Sequence, residues 1–433
     1  MDIVSAGKIL FYVCMTPLII FSLKYYALAL VSIFSKEKKY DASKDHKEHE
    51  LPFISVHIPV YNDPVVVECV KSCKKFDYPR NRYEIIVIDD SNDGITSKAL
   101  GKLRKKEGGF RIIRRDSRKG FKAGALNDAT KVSKGEIITI FDSDYILDKD
   151  FLKKVVQPFK DPEIGFVQTR WGYLNPGKSI MSRVAMMSYA AFHRCSMPVK
   201  EKIGTSIFCG TGGAIRKELL IKAGGWNEEN IGEDIDLTVR LLCNGTKQLY
   251  LPYVIARGEV PVSFNAYRKQ QARWAYGTTK TMKDHMGKII KSDILKKRQK
   301  LDMIFITTGF LVFPFILGVT ISTFMTFSPW IELAYTNAAE MFAYEEFVDG
   351  AQELVTDFVS SEGLILLILS AGWLFECFVA LIKSKRYFDI FAMPFILLVG
   401  AVLQITNSIA VFKALLGFKH TFYKTPKMFY RVE

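Results

Sequence analysis

The glycine-rich loops that mark many nucleotide-binding enzymes are missing from this chain. Neither G-x-G-x-x-G nor a Walker P-loop occurs, so dinucleotide-binding and NTPase readings lose ground. Cysteine is scarce: there are 7 in 433 residues, an odd number, with no C-x-x-C. Cys69 and Cys73 are spaced as on one helix face but lack the second pair a zinc site needs. Free thiols in a reducing compartment are therefore expected, and a disulfide scaffold is excluded. Apolar residues make up 49% of the chain, which excludes a disordered protein. Basic residues, abundant elsewhere, are absent between Lys300 and Lys383.

What is present is positive charge. Lys plus Arg number 60 against 45 Asp plus Glu, a formal net charge of +15. A nucleic-acid binder is one source of such an excess. A membrane protein with basic loops against anionic lipid is the other. The second fits better and nucleic acid is not expected as a partner, because the basic residues cluster beside long apolar segments.

The first of these segments runs from Ile9 to Phe34, broken in charge only by Lys24. It is long enough to cross a ~30 Å hydrocarbon core. It is longer than the apolar core of a signal peptide and lacks a basic start, so a retained anchor over residues 1–35 is expected. Lys36, Lys38 and Lys39 follow it and put that end in the cytoplasm. Residues 36–280 read as a soluble α/β domain. Phe53–Ile58, Tyr83–Ile88 and Glu136–Phe141 are short apolar strands alternating with helical stretches, the pattern of a doubly wound, mostly parallel sheet. Residues 281–300 interleave seven basic residues with Met286, Ile289, Ile290, Ile294 and Leu295, as in an amphipathic helix on the membrane surface; a solvated helix is the alternative.

Residues 301–433 carry about three candidate spans: Leu301–Phe327, Gly363–Ile382 and Phe388–Phe412. The connecting segment 328–362 holds eight acidic residues and no basic one, which places it outside; the Lys383-Ser-Lys385-Arg386 turn belongs inside. The tail fits poorly. Counting spans puts it outside, yet it carries Lys419, Lys424, Lys427 and Arg431. Either the last segment re-enters, or another span exists, or the charge rule fails here. Lys24 and Glu376 fall within spans, where isolated charge is costly, so they are expected to pair or to face a wet channel, with snorkelling of Lys24 as the alternative.

The chemistry should sit at the carboxyl ends of the strands. Three of them run into Tyr61-Asn-Asp63, Asp89-Asp90-Ser-Asn-Asp93 and Asp142-Ser-Asp144. One such aspartate is usually a helix cap, but three clusters on one edge are hard to dismiss. Oxygen ligands suit a hard divalent cation when phosphates complete its shell. Gly120-Phe-Lys122-Ala-Gly124 adds a lysine on a turn open to close approach by phosphate. His57 and His193 read as structural, and Trp171 and Trp274 either as core aromatics or as platforms for a sugar face.

These segments, with Val167-Gln-Thr-Arg-Trp171, Gly210-Thr-Gly-Gly213, Gly232-Glu-Asp234 and Gln270-Gln-Ala-Arg-Trp274, occur in one order that resembles the processive membrane branch of glycosyltransferase family 2. The branch includes cellulose, chitin and hyaluronan synthases; the wording is most similar to cellulose synthase-like mannan and glucomannan synthases. The resemblance covers about residues 52–280 and implies a GT-A type domain flanked by transmembrane helices. It implies that Tyr61, Asp63 and Asp90 hold base and ribose of a UDP- or GDP-sugar, and that Lys122 and Asp142 contact its diphosphate. Asp144, with Asp142, would bind Mg²⁺ or Mn²⁺. Asp234 would be the general base. Gln270, Arg273 and Trp274 would cover the diphosphate and the acceptor end, and Trp171, Gly210, Thr211, Gly212 and Glu233 would line the acceptor path.

This chain departs from that pattern at Asp63, where many relatives have Glu, at Gly232, where they have Thr, and at Cys209, where they have Asn. The expected activity is inverting transfer to a growing polysaccharide at the cytoplasmic face, in a multi-pass protein among membrane lipids. Transfer of a single sugar to a lipid-linked acceptor is the alternative. A non-enzymatic nucleotide sensor would have no use for a base at Asp234.

Overall fold

The computed structural model describes residues 2–35, 51–336 and 361–419. The lysine cluster at 36–39, most of the acidic segment and the tail beyond 419 lie outside the described residues. Eight strands form one sheet: β1 (Ile54–Val60), β2 (Tyr83–Asp89), β3 (Arg111–Arg114), β4 (Ile137–Ile140), β5 (Ile146–Leu147), β6 (Ile164–Tyr173), β7 (Gly213–Arg216) and β8 (Lys247–Gly258). Their order is β3-β2-β1-β4-β7-β6-β8-β5. The first four are mutually parallel; β7 runs antiparallel to β4 and β6, while β6 and β8 are again parallel. The three strands read from the sequence are β1, β2 and β4.

The double winding follows from side-chain alternation. Ile85 and Val87 of β2 point into a core shared with Val66, Cys69 and Val70 of the helix Val66–Lys74. Ile86 and Ile88 point the other way, onto Ala125 and Ala129 of the helix Phe121–Val132. With both faces covered, the strand is apolar throughout. Each fully buried isoleucine contributes about 1.5–3 kcal/mol. Register then places the strand ends: Val60 lies opposite Asp89, and His57 opposite Ile140, so the three acidic exits leave the same edge. His57 is buried and hydrogen-bonded to Ser133 at 2.6 Å; burial holds its pKa down to about 3.

The segment 281–300 is not one surface helix. It is the end of the helix Phe264–Lys291 and the start of Lys297–Thr307. Ile289 and Leu295 are buried in the core with Leu126, Phe166 and Leu241, and His285 meets Asp236 at 2.8 Å. Most of its basic residues lie on the exposed side of these two helices, with Ile290 and Ile294 exposed among them.

Among the described residues, three helical stretches are long and apolar enough to cross a membrane: Ile3–Ile33, Gly309–Ser328 and Tyr387–Leu416. The expected span Gly363–Ile382 is interrupted at Ala371, between helices Ser361–Ser370 and Gly372–Lys383. There the Gly372 N–H donates to Ser22 Oγ at 2.7 Å, and a Cβ on Gly372 would lie 2.0 Å from the Ser22 carbonyl. Lys24 and Glu376 do not form the expected ion pair. The Lys24 ammonium lies over the rings of Tyr25 and Phe305, at 4.6 and 5.6 Å, while Glu376 accepts from Ser196 Oγ at 2.6 Å. Lys200 and Asp302 pair nearby at 2.8 Å.

One close approach orients the rest. A Cβ on Gly277 would lie 2.7 Å from Gly232 Cα, and one on Gly232 would lie 2.9 Å from Gly277 Cα. Backbone thus touches backbone where the helix Phe264–Lys291 crosses the start of the helix Glu233–Cys243. This gives a physical reason for glycine at 232, where a threonine has no room. Gly277→Ala is expected to destabilise by about 1–3 kcal/mol, since backbone atoms cannot give way. Gly287→Ala on the same helix, with nothing within 4 Å, should be neutral or stabilising by up to about 1 kcal/mol. Thermal unfolding of the purified protein in detergent checks both; a Gly277→Ala protein as stable as its parent sinks the close-packing account.

Candidate active site

The site is assembled around Lys122. Gly120 is left-handed at φ 69°, and Phe121 follows at φ 48°, so the turn delivers Lys122 in the first turn of its helix. The Lys122 ammonium donates to Asp142 Oδ1 at 2.7 Å and to the Gly210 carbonyl at 3.0 Å, and it lies 3.4 Å from Glu233. Burial opposes its charge, yet Asp142 and Glu233 hold it above its ordinary value. A small recess opens beside it, lined in part by Gly120, Glu228, Asn230 and Glu233.

Asp234 sits in the first turn of its helix, against the segment 209–212. A Cβ on Gly210, itself left-handed at φ 69°, would lie 3.1 Å from Asp234 Oδ2. Burial pushes the Asp234 carboxyl up to about 6; Glu233 adds to the rise, and Lys122 and Arg273 act against it. A carboxylate in that range is a competent base near neutral pH.

The other predicted residues surround this pair. Asp63 is buried and accepts from Ser143 Oγ at 2.7 Å, which ties the exit of β1 to the Asp142-Ser-Asp144 turn. Asp144 is buried, with Oδ2 accepting from the Glu259 N–H at 2.9 Å. Thr211 Oγ1 accepts from the Asp142 N–H at 3.1 Å. Asp90 is held by the Arg115 guanidinium, whose Nε donates to Oδ1 at 2.8 Å and whose second nitrogen reaches Oδ2.

Trp171 and Trp274 come together, ring centres 6.5 Å apart, with Tyr189 at 6.0 and 5.5 Å from them. Trp171 Nε1 donates to the Thr211 carbonyl at 3.3 Å, and Tyr189 OH donates to Gln270 Oε1. His193 lies under Trp171 with centroids 4.9 Å apart. Burial draws its pKa down to about 3, so it stays neutral and structural.

Several residues of the site went unread in the sequence. Arg115 pairs with Asp90, and Arg118 lies 3.3 Å over the Tyr61 ring. The run Arg114-Arg115-Asp-Ser-Arg118 before Gly120 was the available signal, since it faces an acidic strand end. Gln168, fully buried, accepts from the Cys209 N–H at 2.8 Å and donates to the Thr211 carbonyl at 3.0 Å. It fixes the segment from which Gly210 and Gly212 project. Its signal was its place beside Trp171 in the Val167–Trp171 motif.

The fit of a divalent cation rests on donor chemistry. The described residues contain no group of three His, Cys, Asp or Glu that could hold a metal ion. Asp142 and Asp144 offer oxygen only, with Asp142 partly open at 38% and Asp144 enclosed. Such a set suits Mg²⁺ or Mn²⁺ completed by phosphate oxygens and not a metal held by protein alone.

Known proteins resemble this chain in sequence and in fold. Residues 52–277 match the model described as glycosyltransferase like family 2. Glucomannan 4-beta-mannosyltransferase 7 of Arabidopsis thaliana is 34% identical over 332 residues, covering 70% of this chain and 58% of that protein. Probable glucomannan 4-beta-mannosyltransferase 4 of Oryza sativa subsp. japonica is 33% identical over 270 residues, covering 59% and 48%. The chain thus spans about half the length of the curated relatives it matches. A structure of the mannosyltransferase PcManGT from Pyrobaculum calidifontis, in complex with GDP-Man and Mn²⁺, superposes with a TM-score of 0.55 at 20% identity, over 88% of this chain and 99% of that one. That likeness extends the agreement to a GT-A-like sheet, and the family match takes in more than half of the chain, from the first acidic strand exit to the Gln270–Trp274 segment. The chain belongs to glycosyltransferase-like family 2.

Proposed function

We propose that this protein transfers a hexose, mannose first among candidates, from a nucleoside diphosphate sugar to a hydroxyl of a growing β-linked glycan. The reading places the reaction at the cytoplasmic membrane face, with repeated additions and passage of product through the membrane helices. The observation that carries it is the contact of Lys122 with Asp142, Gly210 and Glu233 beside a half-buried Asp234. The mannosyl choice rests on the names of the curated relatives. The solved neighbour's complex makes GDP-mannose the first donor to test.

On this reading Asp234 takes the proton of the acceptor hydroxyl as its oxygen bonds to the anomeric carbon. The bond from that carbon to the phosphate oxygen breaks, and the diphosphate leaves with the electron pair. Attack from the opposite face inverts the α-linked donor to a β-linkage. Lys122 and Arg273 stabilise the charge gathering on the leaving group in a site that excludes water. Asp142 and Asp144 would hold Mg²⁺ or Mn²⁺, which neutralises the diphosphate when bound. Tyr61, Asp63 and Asp90, with Arg118 on the Tyr61 ring, form the base and ribose end. Trp171 and Trp274, with Gly210, Thr211 and Gly212, line the acceptor end, and Gln270 holds Tyr189 against the two tryptophans.

Asp234→Asn should cut release of nucleoside diphosphate from GDP-mannose by about 10²–10⁴-fold without changing thermal stability. Full activity in that variant refutes the base assignment. Product sizing with radiolabelled donor distinguishes a polymer from a single sugar on lipid.

The acid limb of the rate should fall near pH 6, because Asp234 must be deprotonated and its carboxyl is raised to about 6. Glu233→Gln removes a like charge and should move that limb to lower pH; a limb that stays in place or moves upward contradicts the assignment. Chelation should stop turnover, and added Mg²⁺ or Mn²⁺ should restore it. Undiminished diphosphate release in excess chelator counts against the cation.

A further inference from the structure

The exits of β1 and β2 are tied together. The Asp90 N–H donates to the Val60 carbonyl at 3.0 Å, so Tyr61 and Asp90 leave neighbouring strands side by side. Asn62, left-handed at φ 50°, donates from its side-chain amide to Asn92 Oδ1 at 2.7 Å and accepts from the Asn92 N–H at 2.8 Å. Its own N–H donates to Ser91 Oγ at 2.8 Å. The turn after β3 covers this corner. There the Phe121 N–H donates to the Arg118 carbonyl at 2.9 Å. Arg115 fastens the turn from beneath: its guanidinium donates to the Lys119 and Phe121 carbonyls, each at 2.9 Å, and also holds both oxygens of Asp90.

Arg115 and Arg118 are placed differently. The Arg115 side chain is 7% exposed, and its donors are engaged by the turn and by Asp90. The guanidinium carbon of Arg118 lies 3.3 Å over the centre of the Tyr61 ring and 5.4 Å from that of Phe121. A guanidinium is flat and delocalised and stacks on aromatic faces. Arg118 thus covers the ring that the donor reading assigns to the nucleobase. Its side chain is long enough to leave that ring and still reach the edge of whatever stacks there.

We propose that Arg118 reads the base of the donor: a base stacking on Tyr61 takes the guanidinium's place, and the guanidinium turns to the base's edge, where it selects guanine over uracil. The proposal rests on the nucleotide-sugar reading above. Guanine presents two adjacent acceptors, O6 and N7, that match two N–H groups of one guanidinium, whereas adenine carries an amino group in place of O6 and sets donor against donor. Uracil has its carbonyls on either side of N3–H, so one edge of the guanidinium reaches only one of them. The neighbouring edge of guanine carries N1–H and the 2-amino group, donors that suit a carboxylate. Asp90 keeps acceptor capacity beyond its two bonds to Arg115. Burial draws the Arg118 pKa down, with Tyr61 and Asp90 acting against it, so Asp90 is within electrostatic reach of the guanidinium. Both edges of one base are thereby served from one corner of the sheet.

The test reads binding and needs no turnover. Isothermal titration calorimetry of the full chain in detergent with Mn²⁺ compares GDP, UDP and 7-deaza-GDP, in which carbon replaces N7. The parent is expected to bind GDP about 10-fold more tightly than UDP, within the range of one bidentate pair, and to bind 7-deaza-GDP more weakly than GDP. Arg118→Ala should weaken GDP by about 10-fold, leave UDP no weaker, and bind GDP and 7-deaza-GDP alike. Arg118→Lys keeps the charge without the fork; it should lose the preference too, and it serves should the alanine variant fail to accumulate. Equal weakening of GDP and UDP in either variant overturns the proposal. So does a 7-deaza penalty that survives the substitution, or a parent that binds UDP as tightly as GDP. A parent that binds neither diphosphate overturns the nucleotide-sugar reading itself, and this proposal with it.

Discussion

One buried ammonium organises the site. Lys122 is taken out of water and so must be matched by acceptors, since an uncompensated charge at that depth costs several kcal/mol. The acceptors come from three places: Asp142 at the exit of β4, the Gly210 carbonyl before β7, and Glu233 at the start of a helix. Segments that are far apart in the sequence are therefore held at one point. Asp234 inherits its position from this knot, because Gly210 abuts its carboxylate and Glu233 precedes it. The same closeness sets its electrostatics. Burial and the neighbouring Glu233 outweigh Lys122 and Arg273, so the carboxyl is raised above the ordinary aspartate range.

The glycine pair 232 and 277 transmits that position to the Gln270–Trp274 segment. Trp274 lies less than one turn of helix before Gly277, so the depth at which the two backbones meet sets how far the indole reaches toward Trp171. Neither glycine is intelligible singly. Gly277 allows the approach and Gly232 completes it, each removing a Cβ that would meet the other's backbone.

Much of this was legible in the sequence because the informative residues are local. Strands buried on both faces are apolar without interruption, so Tyr83–Ile88 and Glu136–Phe141 announced themselves, and the acids following them marked the working edge. Other features depend on partners brought in by folding. Arg115 and Arg118 look like surface residues until the turn at Gly120 folds them onto Asp90 and Tyr61. In residues 281–300 a basic amphipathic pattern suits either lipid or a protein core; Ile289 and Leu295 face Leu126 and Phe166, and no local rule says so. Lys24 and Glu376 were matched by depth alone, but Ser196 reaches Glu376 first, from a helix that hydropathy does not connect with either.

The aromatic end of the site and the membrane helices share one core. Trp171 and Trp274 pack in the same cluster as Trp373 and Phe375 of the helix Gly372–Lys383 and as Met393 and Ile396. The apolar cluster is continuous from Trp171 and Trp274 to these helices, so the aromatic end of the site is built partly by helices that a soluble domain would lack. This bears on why hydrophobicity is concentrated at both ends of the chain. The central sheet supplies the acids and Lys122, but the wall behind Trp274 comes from residues beyond 372. A central domain cut free of its helices would keep the cation-and-carboxylate half of the site while exposing the back of the other half to water. The two halves have different needs, low dielectric around Asp234 and a rigid apolar backing for Trp171 and Trp274, and a single chain folding its ends around its middle meets both.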